Sequence, residues 1–168
     1  MNEKAFEKTR IAPMNGEDWK NYVAHVTGAD EIYFQYGEEA SDELIGCIRE
    51  PTEGVLYYSI ISKDTNAMTG YVGITLENSN VEFYIFKEYR RRGYASEALA
   101  GFINAYMDGE ITGKAEESVI AETLSVNAAS IGLLEKLGFQ KQAIGFRVNF
   151  EEGDHPMAFL RRYIIFNA

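Results

Sequence analysis

Apolar positions change their period several times along the chain, and each change marks an element. Thr9 to Met14 reads as a short strand closed by Pro13. After Gly16-Glu17-Asp18, the side chains of Trp19, Tyr22, Val23 and Val26 recur at helical spacing and predict an amphipathic helix. Ile32 to Gly46 reads as loop and helix ending before Pro51. A strand-rich stretch follows: Gly54 to Ile61, Met68 to Leu76 and Val81 to Phe86, with turns at Asp64-Thr65-Asn66 and Glu77-Asn78-Ser79-Asn80. Strands joined by turns this short form an antiparallel meander.

The period then becomes helical again, with Ala95, Ala98, Leu99, Phe102, Ile103 and Tyr106 forming the apolar stripe of a helix packed on a sheet, stopped at Asp108-Gly109. Ser118 to Val126 reads as a strand and Asn127 to Leu137 as a short helix, with Gly138 its stop and Phe139 an apolar anchor. Gln140 to Phe150 and Ala158 to Phe166 close the chain as strands around a loop, Glu151-Glu152-Gly153-Asp154-His155-Pro156. The order β-α-α-β-β-β-α-β-α-β-β, without repeat or linker, predicts one α+β domain over residues 1–168.

Composition narrows the function classes. A chain of 168 residues that is 46% hydrophobic and 13% aromatic can bury a full core, which excludes intrinsic disorder. The net charge of -10 has the wrong sign for a partner of nucleic acid and favours cationic ligands. A lone cysteine, Cys47, excludes an intrachain disulfide and a zinc site of several thiolates; with apolar neighbours it reads as a packed side chain in a reducing compartment. No apolar run approaches the ~20 residues needed to span a bilayer, so no membrane association and a cytoplasmic location are expected. His25 and His155 lack ligand spacing, so no metal is expected. Gly109 to Lys114 resembles a phosphate loop but is one residue short, with Ala115 where a magnesium-binding hydroxyl is required, and reads as a turn.

The informative chemistry lies between Val81 and Leu99: a strand, the turn Arg90-Arg91-Arg92-Gly93-Tyr94-Ala95, then a helix. Backbone N–H groups at a helix N-terminus lack intrahelical partners and carry partial positive charge, so a tight basic turn entering a helix suits a diphosphate. This turn matches the Arg/Gln-x-x-Gly-x-Gly/Ala pyrophosphate loop of the GNAT superfamily of N-acetyltransferases. Asn127-Ala128-Ala129-Ser130 with Glu135-Lys136-Leu137-Gly138-Phe139 resembles that superfamily's second motif. Together with Val81-Glu82-Phe83-Tyr84 and Asp154-His155…Leu160, it is similar to the RimJ/RimL-like subgroup, which includes ribosomal-protein N-terminal acetyltransferases. The resemblance implies a mixed, mostly antiparallel twisted sheet of six to seven strands with helices on both faces, acetyl-CoA as donor substrate, and an amine acceptor. It implies that Arg91, Arg92, Gly93, Tyr94, Ala95 and Ser96 hold the diphosphate. It also implies that the Val81–Phe86 and Ser118–Val126 strands splay, so that the pantetheine arm pairs near Ile85 and Phe86 and meets Asn127. A backbone N–H of the first of these strands would meet the oxyanion, and Ser130 would approach the sulfur. The tyrosine acid common in the superfamily is replaced by Leu134.

An amine must lose a proton to attack a thioester, so a base is needed. Glu82 is the first candidate: strand alternation puts it on one face with Tyr84 and Phe86, where its charged form is disfavoured and its pKa raised. Glu122 and His155 follow. Ser130, three residues after Asn127, also fits a helix-capping role. The acceptor classes are a protein or peptide N-terminus, a polyamine or another small amine; the rival is an acyl-CoA-binding regulatory domain without catalysis. A homodimer is compatible with the sequence.

Overall fold

The computed structural model describes residues 1, 3–26, 50–124, 127–149 and 153–163. The expected loop and helix at Ile32 to Gly46, and Cys47, lie outside them. The elements are β1 (Lys4–Ala5), β2 (Thr9–Pro13), α1 (Gly16–Val26), β3 (Val55–Ser62), β4 (Met68–Thr75) and β5 (Asn80–Ile85), then a single 3-10 turn (Lys87–Tyr89), α2 (Tyr94–Met107), β6 (Ser118–Leu124), α3 (Ala128–Lys136), β7 (Gln140–Asn149) and β8 (Gly153–Tyr163). They build one sheet in the order β1-β2-β3-β4-β5-β6-β8-β7, seven long strands plus the two-residue β1 at one edge. Every pairing is antiparallel except β5 with β6.

Strand alternation sorts the side chains of the meander onto two faces. Tyr58, Ile60, Val72, Ile74, Val81 and Ile85 pack with Ala98, Leu99, Phe102, Ile103 and Tyr106 of α2. Met68, Tyr71, Tyr84 and Phe86 pack on the other face against Tyr22 and Val26 of α1. Phe102 and Leu99 are fully buried, and burial of such side chains contributes about 1.5–3 kcal/mol each. Helices therefore flank both faces, as expected, and β5 runs between two cores.

One boundary differs from the sequence reading. Asp154, His155 and Pro156 were expected in a loop, but β8 starts at Gly153 and pairs them with Val148, Arg147 and Phe146 of β7. Pro156 reads as a loop residue because proline cannot donate to a ladder, yet β8 carries it in register with Phe146 of β7.

β5 and β6 meet at one position, Asn80 opposite Ile120, where the Ile120 N–H donates to the Ser79 carbonyl at 3.0 Å. Beyond that, β5 pairs only with β4 among the described residues. The Phe86 N–H donates to the Thr69 carbonyl at 2.9 Å, which makes Gly70–Ile85 a non-hydrogen-bonded antiparallel pair. Ile85, and by alternation Phe83, therefore aim their backbone groups at the side where β6 has left, while Val81 lies beside the Asn80–Ile120 contact.

Candidate active site

The turn after β5 is built to present its backbone. Arg91 (φ 62°) and Gly93 (φ 81°) are both left-handed and bracket Arg92. Chains that alternate handedness in this way form concavities of N–H groups suited to anions. Gly93 is the N-cap of α2 without a side-chain cap, and the first bond into it from the helix is the Glu97 N–H to the Gly93 carbonyl at 3.3 Å. The N–H groups of Tyr94, Ala95 and Ser96 precede that bond and have no intrahelical acceptor. Tyr94 offers only this N–H, since its ring is buried in the α2 core. The Ser96 hydroxyl donates to the Gly93 carbonyl at 3.1 Å. A Cβ on Gly93 would stand 3.4 Å from Lys8 Nζ, on the approach to the helix end.

The three arginines divide. Arg90 Nε donates to the Ile85 carbonyl at 2.9 Å and its guanidinium lies 5.4 Å from the centre of the Tyr84 ring, which fixes the turn. Arg91 and Arg92 are exposed on the loop, Arg92 at 5.7 Å from the Tyr89 ring. Of the two residues expected to pair with a pantetheine arm, Ile85 is on the free edge and Phe86 is not. The Phe86 N–H goes to Thr69 and its carbonyl accepts from Tyr89 at 2.9 Å, while its side chain belongs to the α1 core. The chain turns away from the sheet at that residue.

Asn127 caps α3, its Oδ1 accepting from the Ser130 N–H at 3.1 Å. Ser130 is thus part of the cap through its backbone, with its half-buried hydroxyl in the first turn. Leu134 is buried and packs into the α2 core.

Glu82 stands on the α1 face of β5 with Tyr84 and Phe86, as alternation predicts. Tyr71 donates its phenol to Glu82 Oε1 at 3.2 Å, and the Tyr57 phenol, which accepts from the Thr52 N–H at 3.4 Å, is close enough to the same carboxyl to favour its charged form. Burial pushes the Glu82 carboxyl above the ordinary range, and the two phenols oppose that rise without cancelling it. Gly73, opposite Glu82 in β4, leaves the room: a Cβ there would lie 3.1 Å from Glu82 Cγ and 3.1 Å from Tyr57 Cδ1. Trp19 and Tyr22 of α1 close the wall, with Trp19–Tyr57 and Tyr22–Tyr71 both edge-on at 4.9 Å.

The rival bases are placed differently. Glu122 is exposed on β6. His155 lies on β8 with only its backbone described. His25 ties α1 to the turn below the loop: Nδ1 donates to the Asn21 carbonyl, Nε2 lies 2.9 Å from Glu88 Oε1, and the ring stacks on Phe86 at 3.8 Å. Gly109 to Lys114 is a turn, as expected, with the Gly113 N–H donating to the Gly109 carbonyl.

Sequence reasoning missed Tyr57, Tyr71, Gly73 and Lys8. Lys8 is held by backbone bonds to Glu97 and to the Lys63 N–H, so its amine is carried to the loop from 85 positions away. Glu97 also accepts from the Thr9 N–H and hydroxyl, which turns this carboxylate of the first turn of α2 toward β2. No local signal marks such pairs; only the strand register brings them together.

Comparison with known proteins agrees with this geometry. No curated protein matches the chain in sequence. Among solved structures, a GNAT-family acetyltransferase from Bacillus anthracis superposes with a TM-score of 0.75 at 18% identity, covering 97% of this chain and 98% of that one. The ribosomal-protein-S5-alanine acetyltransferase from Vibrio fischeri gives 0.70 at 14% identity, covering 96% of each chain. The spermidine N-acetyltransferase from Vibrio cholerae, in complex with CoA and spermine, gives 0.71 at 12% identity over 93% of this chain and 95% of that one. Identities this low speak for the fold alone. The acetyltransferase (GNAT) domain family itself matches residues 8–140, from Lys8 beside the loop to the start of β7. With most of its length matched, the chain belongs to the GNAT acetyltransferase family.

Proposed function

We propose that this protein transfers an acetyl group directly from acetyl-CoA to a primary amine, with Glu82 as base. The observation that carries this reading is the Glu82 carboxyl, raised by burial and held by the Tyr71 phenol, on the strand whose free edge leads to the anion loop. The residues fit the donor: Arg91, Arg92, Gly93, Tyr94, Ala95 and Ser96 would take the diphosphate, mostly through backbone N–H groups. The edge at Phe83 and Ile85 would take the pantetheine arm as an added strand does. Asn127 would border that arm.

In the reaction the amine nitrogen attacks the thioester carbon, so a C–N bond forms and the C–S bond breaks. The proton lost by nitrogen goes to Glu82, and CoA leaves as a thiolate that takes a proton from solvent or through Ser130. An N–H on the free edge of β5 would meet the oxyanion as it forms. Acceptors named for the structural relatives are ribosomal proteins, in one case through an N-terminal serine, and spermidine, and the net charge of -10 suits cationic amines of either kind. A screen of peptide N-termini and polyamines, read as free CoA release, tests this. Acceptor-dependent release with an acetylated product supports it. CoA binding without release for any amine would favour the regulatory reading instead.

A further inference from the structure

Glu82 is held by more than its own strand. Its Oε1 receives the Tyr71 phenol, and the Tyr57 phenol on β3 acts on the same carboxyl by favouring its charged form. Both rings are fixed in turn by α1, through Tyr22 on Tyr71 and Trp19 on Tyr57, so neither hydroxyl is free to swing away. Tyr57 is oriented a second time by the Thr52 N–H on its oxygen.

We propose that Tyr57 and Tyr71 are positioning residues for acetyl transfer: they pin the Glu82 carboxylate so that its remaining lone pairs face the acceptor amine. The proposal rests on Glu82 being the base. A carboxylate among aromatic rings has few competing donors, so without the phenols it would rotate and lose aim. Both phenols favour its charged form and keep it available as a base.

Arg90 reaches the same face, its guanidinium 5.4 Å from the centre of the Tyr84 ring. α1 turns its charged side chains elsewhere: Glu17 and Lys20 pair at the surface, Asp18 accepts from the Asn15 N–H, and His25 faces Glu88. Along β5, the neighbour of Glu82 on its own face is Tyr84. Glu122 on β6 is exposed.

The test compares wild type, Tyr71→Phe, Tyr57→Phe and the double variant in the pH dependence of kcat at saturating acetyl-CoA and acceptor, with Glu82→Gln alongside. Removing a bond that favours the charged carboxylate raises its pKa, so the acidic limb should move to higher pH. The expected shift is up to about one pH unit per hydroxyl, the size of one hydrogen bond. CoA affinity should stay within about twofold, because neither phenol lies at the anion loop. A fall in kcat with an unmoved limb would mean a merely structural role and overturn the proposal, as would a wild-type profile in both variants. If Glu82→Gln keeps its turnover, the base assignment itself fails, and that result is read independently of the phenylalanine variants. Thermal unfolding accompanies each measurement. Should Tyr71→Phe fail to fold, the half-exposed Tyr57→Phe carries the test.

Discussion

The anion loop and the Glu82 pocket lie at opposite ends of one strand's influence and are built in opposite ways. The loop is contiguous and works through backbone: two left-handed residues, an uncapped helix end and a glycine, with side chains mainly setting its shape. The pocket is assembled from side chains on β3, β4, β5 and α1, none adjacent in sequence. The difference teaches where each is vulnerable. The loop should be sensitive to backbone conformation and indifferent to most side chains, while the pocket should be sensitive to single atoms of its side chains and indifferent to the cofactor.

The largest effect is expected in the pocket. Glu82→Gln should lower kcat by about 100- to 10,000-fold, the range for loss of a general base, with CoA affinity by calorimetry nearly unchanged. It should not lower the melting temperature at neutral pH. Glu82 has a raised folded-state pKa, so its contribution to stability is present below its unfolded pKa and is lost as pH rises through the folded value. A loss of CoA affinity equal to the loss of rate would erase the separation between the two regions.

Next comes the loop. Gly93→Val should weaken CoA roughly tenfold or more, the worth of one or two hydrogen bonds to a charged group. It is not silent in folding: a branched residue at φ 81° costs about 1–2 kcal/mol, which lowers the melting temperature by roughly 2–8 °C in a chain of this size. Calorimetry on the folded variant separates the two effects.

Gly73→Ala sharpens the comparison from the pocket side, since its Cβ would press on Glu82 Cγ and the Tyr57 ring at 3.1 Å. Turnover should fall roughly tenfold, less than the ~100-fold cost of a 1 Å misplacement, and CoA affinity should hold. Lys8→Met should give the smallest effect, a weakening of CoA by no more than about fivefold, because an exposed ion pair is worth ~0.2–1 kcal/mol. Raising the salt should shrink that difference further, as measured by CoA titration.

The same contrast governs what was legible in the sequence. The meander, α2 and the loop could be read because their signals are local: alternation, a helical stripe, and a basic turn with Gly93 entering a helix. Glu82 was legible as a candidate because alternation alone puts it beside Tyr84 and Phe86. Its partners were not, because Tyr57, Tyr71 and Gly73 reach it only through the registers of β3 on β4 and β4 on β5. Phe86 was misplaced on the edge by one residue, since a strand's end does not declare where its last N–H goes. Asp154 to Pro156 read as a loop because proline and acidic residues commonly punctuate strands, whereas β8 carries them in register with Phe146 to Val148 of β7.

The pH dependence of kcat in wild type and Glu82→Gln, at saturating acetyl-CoA, bears most directly on the account. It predicts a wild-type acidic limb with its midpoint above the ordinary glutamate range, and no such limb in the much slower variant. An identical limb in both proteins would contradict it and move the base elsewhere.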